Sequence, residues 1–144
     1  MPDSFEEVDH TADLGLRVHA ESLEGLFRQS ALGLASLLTD PEAVGSAERT
    51  VIELRGIDLE ELLVAWLNEL LYRFESERLL LTAFPELLIK REDQEYRLLA
   101  TGTGGRWDPQ RHPPGAPVKA ATYHGLAIAP TTDGSFAVTL IFDT

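Results

Sequence analysis

Three observations predict an α+β fold of two helices packed on a mostly antiparallel β-sheet. Two stretches place apolar residues at helical spacing. Several others alternate apolar and polar residues with period two. The second half is a succession of such strands, with a hairpin turn between the last two. The chain has 144 residues, of which 44% are hydrophobic and 25% charged, as expected of one globular domain spanning residues 1–144.

Taken in order, positions 13–20 alternate Leu14, Leu16, Val18 and Ala20 against Gly15, Arg17 and His19, the pattern of a strand with one wet face. Ser22 then caps a helix whose face carries Leu23, Leu26, Phe27, Ala31, Leu34 and Leu38, ended by Thr39-Asp40-Pro41. Positions 50–55 alternate again. Asp58 stands three residues before Glu61, an Asp-headed capping box, and heads a second helix. Its stripe is Leu59, Leu62, Leu63, Trp66, Leu67, Leu70, Leu71 and Phe74, which at this spacing is core packing more readily than a ligand pocket. Further strands are expected at 79–84, 87–91, 96–103, 118–128 and 136–142, with Thr132-Asp133-Gly134-Ser135 as the turn before the last. The breaker-rich stretch 104–117 is expected to be an exposed loop.

Composition excludes several classes of function. With no cysteine, there is no disulfide framework, thiolate zinc site, iron-sulfur cluster or cysteine nucleophile. A chain of this length buries about 68–70% of its unfolded surface, so a metal would be functional before it is structural. Twelve Lys and Arg against twenty-four Asp and Glu give a net charge of -12. No basic run exceeds Lys90-Arg91, so strong direct nucleic-acid binding is not expected. An acidic surface suits cations or a basic partner, or simply keeps the protein soluble. No apolar stretch approaches the roughly 20 residues of a membrane span, and the first residues lack a signal-peptide pattern, so a cytoplasmic protein is expected.

Three constellations can carry chemistry. Asp9-His10-Thr11-Ala12-Asp13 gathers two carboxylates and an imidazole at the entry to a strand, although a turn in which Asp9 or Thr11 bonds its own backbone accounts for it too. At the other extremity, Asp143 precedes Thr144, whose α-carboxylate would stand beside the Asp143 side chain. Such anions repel unless solvent screens them or a cation lies between them. If the strand holding Asp143 runs near Asp13, three carboxylates converge on a site for a hard divalent metal such as Ca²⁺, Mg²⁺ or Mn²⁺. The alternative is a hydrated tail. The third is Val118-Lys119-Ala120-Ala121-Thr122-Tyr123-His124, where Lys119, one of two lysines, could anchor an anion and His124 could accept a proton or bond structurally. No phosphate loop, His-Glu-x-x-His, Gly-x-Ser-x-Gly or acidic calcium loop is present. Thr101-Gly102-Thr103-Gly104-Gly105 leads to no helix, against a dinucleotide site.

In sequence order, these two polar motifs and the terminal Phe142-Asp143, together with Leu62-Leu63-Val64-Ala65-Trp66-Leu67-Asn68-Glu69-Leu70-Leu71, resemble the archease family over nearly the whole chain. The resemblance implies a cytoplasmic, non-enzymatic accessory of the GTP-dependent tRNA-splicing RNA ligase, promoting guanylylation of the ligase and its multiple turnover. GTP would be used by the ligase. It implies a metal site at Asp13, Asp143 and Thr144, with further functional polar positions at Asp9, His10, Lys119 and His124. Family chains often end in an aliphatic residue where this one has Thr144. Two other readings stay open: a chaperone-like modulator of a tRNA methyltransferase or another RNA-processing enzyme, and a metal-dependent phosphoesterase.

Overall fold

The computed structural model describes residues 2–10 and 13–144, and for Asp9 and His10 the backbone alone. Strands β1 (Ser4–His10) and β2 (Asp13–Ala20) are followed by helix α1 (Leu23–Leu38) and a 3-10 turn at Pro41–Ala43. Then come β3 (Glu48–Gly56), helix α2 (Leu59–Glu77), β4 (Leu79–Glu92) and β5 (Glu95–Arg106). Two short strands, β6 (Ala120–Ala121) and β7 (Ala129–Pro130), precede β8 (Phe136–Asp143). The α+β class is as the sequence predicts, with the strands divided between two antiparallel sheets. One has the order β1-β2-β8-β6, with β7 also pairing β8; the other has the order β3-β5-β4.

Both helices begin at their expected caps. The Ser22 side chain accepts the Gly25 N–H at 2.9 Å, and Asp58 accepts the Glu61 N–H at 2.8 Å, each satisfying an N–H that the first helical turn leaves without a partner. Each helix touches strands of both sheets, α1 against β1, β2, β4 and β8, and α2 against β3, β4, β5 and β6. The core lies where they meet. Leu16, Val18 and Ala20 of β2 and Val138, Leu140 and Phe142 of β8 are buried with Leu26, Phe27 and Leu34 of α1 and Leu62, Leu63 and Leu67 of α2. Trp66 is wholly buried, edge-on to Phe84 at 5.0 Å, and its indole N–H donates to the Phe27 carbonyl at 3.0 Å. The α2 stripe is thus packing, and its one polar handle is satisfied within the core.

Four local expectations are corrected. Positions 4–10 form a strand with no predicted counterpart. The separate strands at 79–84 and 87–91 are one strand, β4, whose register against β5 shifts twice between Leu81 and Glu86 around Pro85. Pro lacks the N–H that an inner ladder needs, and β4 is an edge strand that tolerates it. The predicted strand over 118–128 shrinks to the two residues of β6, because the chain turns at Gly125 with φ +60°. The stretch 104–117 is also less free than expected. Its first residues continue β5, Trp107 packs on Phe74 at 5.2 Å, and its far end is pinned to α1. Ala116 N–H donates to the Leu37 carbonyl at 2.7 Å, and the Thr39 hydroxyl donates to the Pro113 carbonyl. This seat needs glycine at 115, where a Cβ would lie 2.1 Å from the Leu37 oxygen.

Candidate metal site at the end of the five-stranded sheet

The ladder between β2 and β8 decides where the two distant aspartates lie. Its pairs run from Ala20↔Phe136 to Leu14↔Phe142, all with residue numbers that sum to a constant. One step further, this register sets Asp13 opposite Asp143. The alternation of burial fixes the face. Leu16, Val18 and Ala20 on one strand, and Val138, Leu140 and Phe142 on the other, point into the core. Asp13 and Asp143 therefore share the outward face. The Arg17–Glu6 ion pair at 3.0 Å occupies the same face four rungs away. Residues facing each other across antiparallel strands have Cα atoms about 4.5–5.5 Å apart, close enough for two carboxylates at these positions to feel one another's charge.

The outer strands extend this row. Asp13 pairs with His10 of β1, and Asp143 pairs with Ala120 of β6. Thus the sequence positions 10, 13, 143 and 120 stand side by side across four strands. The Lys119 N–H donates to the Asp143 carbonyl at 2.8 Å, which joins the third constellation to the chain's C-terminal strand. Thr122 adds two bonds to the Ile141 carbonyl, from its N–H and its hydroxyl, each at 3.0 Å. Lys119, His124, Asp143 and Thr144 are exposed, while Asp13 is half-buried. Thr11, Ala12 and the side chains of Asp9 and His10 lie outside the described residues, so the roles expected for Asp9 and His10 have no described geometry.

The donor chemistry fits a hard cation in kind. Asp13 and Asp143 offer oxygen only, as Ca²⁺, Mg²⁺ and Mn²⁺ prefer. Among the described residues no group of three or more His, Cys, Asp or Glu side chains is assembled around one point. A bound ion would therefore rest on these two side chains completed by water or by main-chain oxygens.

A second polar cluster near β8 has another character. The Ser135 hydroxyl lies 2.7 Å from His19 Nε2, 2.6 Å from Thr131 Oγ1 and 2.6 Å from Asp133 Oδ1. It resembles a nucleophile arrangement by composition alone. Ser135 is buried, and the aspartate binds the serine where a triad would have it orient the histidine. The hydroxyls of Ser135 and Thr131 and the Ser135 N–H hold the Asp133 carboxyl far below the usual carboxylate range, as in a turn that traps its own anion. His112, likewise given no role from sequence, accepts the Asp108 N–H at 2.8 Å inside its loop.

Sequence reasoning missed Asn68, whose side chain contacts both backbone groups of Ala121. A carboxamide beside the apolar stripe, midway along α2, was the available signal. It also missed that the 118–124 segment is held between α2 and β8. Tyr123 in that segment has its phenol raised above the ordinary value by desolvation, then by the carboxylates of Glu61 and Asp58 at the start of α2. The Ile128 N–H is accepted by Glu60 at 3.0 Å, which fastens the far end of the segment to the same helical turn.

Residues 5–144 match the family described as the Archease protein family (MTH1598/TM1083). Protein archease of Methanopyrus kandleri is 37% identical over 96% of this chain and 98% of its own length. Protein archease of Methanosarcina mazei is 37% identical over 90% of this chain and 89% of its own. The solution structure of Methanobacterium thermoautotrophicum protein 1598 superposes with a TM-score of 0.82 at 30% identity, covering 97% of this chain and 98% of that one. The chain belongs to the archease family.

Proposed function

We propose that this chain is a non-catalytic accessory protein in RNA processing, the role its family membership supports, and that its client is the GTP-dependent tRNA-splicing RNA ligase. In this reading it promotes guanylylation of the ligase and its repeated turnover in the cytoplasm. Asp13 and Asp143, with Thr144, hold a divalent cation at the outward end of the β2–β8 ladder. The observation that carries the reading is the β2–β8 register, whose last pair, Leu14↔Phe142, leaves Asp13 and Asp143 as the next residues at the same end of the ladder. Two facing anions on a solvent-side rung cost stability unless something gains from them.

A divalent ion held there would supply positive charge to phosphate oxygens during nucleotidyl transfer. The chain's own residues have the task of delivery. Asp13 and Asp143 would hold the ion on the outward face of β2 and β8, and Lys119, whose N–H bonds the Asp143 carbonyl, stands at the same end of the sheet, where it could meet an anionic group. A surface of net charge -12 favours encounter with a basic protein site and disfavours holding the RNA itself.

The test is ligase guanylylation, followed by label transfer from GTP, with native chain, Asp13→Ala and Asp143→Ala. Loss of stimulation with both folded variants is expected. Undiminished stimulation would remove the metal reading. Stimulation that survives loss of both aspartates, together with protection of a tRNA methyltransferase from aggregation, would favour the chaperone-like role. Metal-dependent turnover of a model phosphodiester without any partner would favour the phosphoesterase.

A further inference from the structure

One edge of the five-stranded sheet is β6, whose outer backbone groups would otherwise lack a ladder partner. Ala121 is one residue of this two-residue strand and pairs with Phe142 on its inner side. Asn68, midway along α2, meets Ala121 on the other side. Its Oδ1 accepts the Ala121 N–H at 2.8 Å, and its Nδ2 faces the Ala121 carbonyl at 3.5 Å. The primary amide thus stands where a neighbouring strand's peptide group would stand. Among side chains only a carboxamide offers an acceptor and a donor in this arrangement. Asn is also a poor choice for a helix interior, and its presence beside buried Leu67 shows that the contact outweighs propensity.

What the clamp holds is the end of β8. Ala120 pairs with Asp143, Lys119 N–H bonds the Asp143 carbonyl, and Thr122 bonds the Ile141 carbonyl through two donors. With only two residues in regular pairing, β6 has little ladder of its own to fix its position. Nothing else among the described side chains bonds both backbone groups of a β6 residue. We propose that Asn68 is a positioning residue: by acting as a surrogate strand edge it holds β6 against β8 and so fixes the backbone of Asp143 opposite Asp13. The metal part of this inference rests on the reading given under Proposed function. The placement of Asp143 does not.

Two variants separate the possibilities. Asn68→Leu removes both contacts. Asn68→Asp keeps the acceptor for the shorter bond and loses the donor of the longer one. The amide resonances of Lys119, Ala121 and Asp143, hydrogen exchange at Ala121, and Mn²⁺ binding followed by electron paramagnetic resonance are measured for each, with thermal melting alongside. Asn68→Leu is expected to shift the Asp143 and Lys119 resonances, accelerate exchange at Ala121 and weaken Mn²⁺ about tenfold, the lower end for supporting partners of metal ligands. Asn68→Asp, which keeps the acceptor for the Ala121 N–H but turns a carboxylate oxygen towards the Ala121 carbonyl, is expected to restore each in part.

Native-like Asp143 resonances in folded Asn68→Leu would overturn the proposal. So would equal defects in both variants that follow only their loss of melting temperature, because the contact would then be generic packing. If the native chain shows no Mn²⁺ binding that Asp13→Ala abolishes, the metal reading fails. The resonance and exchange data then decide on Asn68 alone, a shift supporting its role and an unchanged spectrum refuting it.

Discussion

Replacing Asp143 by Asn should change the stability of the protein in opposite directions with and without a divalent cation. The side chain is exposed, and its position faces Asp13 on the outward side of the sheet. Like charges directly opposite each other cost about 0.2–1 kcal/mol. Coulomb's law at about 5 Å in a water-like dielectric gives about 0.8 kcal/mol, in agreement. At low ionic strength with chelator, Asp143→Asn should therefore gain up to about 1 kcal/mol, or about 2–4 °C in melting temperature for a chain of this size. Cation at about 100 times its dissociation constant adds about 2.7 kcal/mol to a protein that binds it only when folded. The native chain should then overtake a variant that has lost a ligand. Melting followed by circular dichroism in EDTA and in millimolar Mn²⁺ or Ca²⁺ reads both limbs. A variant that melts below the native chain in EDTA would refute the repulsion. The absence of any cation-dependent gain in the native chain would refute the site.

Other perturbations test the scaffold around this rung. Trp66→Ala should cost about 3–5 kcal/mol in urea unfolding, because it empties a fully buried site and leaves the Phe27 carbonyl without its donor; a loss below 1 kcal/mol would contradict that packing. Gly115→Ala should destabilise by about 1–3 kcal/mol and free the 107–117 loop to proteolysis, since its Cβ would meet the Leu37 oxygen. Asp58→Ala should cost about 1 kcal/mol through the lost helix cap, read from the shift in urea midpoint. The Asp133 carboxyl, held below its ordinary 3.8 mainly by Ser135 and then Thr131, contributes stability that is complete above pH 3.8 and fades as pH falls towards its lower folded value. Carboxyl NMR titration should show Asp133 ionised well below pH 3.8, and Ser135→Ala should bring it back up.

Much of this architecture is legible in the residue order because local signals suffice for it. Ser22 and Asp58 name the helix starts, and the stripes from Leu26 to Leu38 and Leu62 to Phe74 name the buried faces. What escaped depends on tertiary pairing. Strand β1 reads Ser-Phe-Glu-Glu-Val-Asp-His, where Phe5 and Val8 are three apart and break the period-two signal, so only its partner β2 defines it. The double register shift in β4 is invisible because Pro85 reads locally as a strand end. In 118–128 the apolar content suggested one strand, but only Ala120 and Ala121 pair regularly with β8, and beyond the turn the Ile128 N–H is held by Glu60 of α2. The carboxylates were visible as suspects. Their juxtaposition was not, since it follows from a register that links residues 13 and 143, and no local pattern encodes that distance. Asn68 was hidden for the same reason, as a helical residue whose partner lies 53 positions away.

The place of β8 between β2 and β6 has a consequence for how the protein is made. The two halves of the acidic rung, Asp13 and Asp143, lie 130 positions apart in the sequence (143 − 13). A nascent chain can build α1, α2 and the β3-β5-β4 sheet while β2 still waits for its inner neighbour. The rung therefore forms only when β8 docks between β2 and β6.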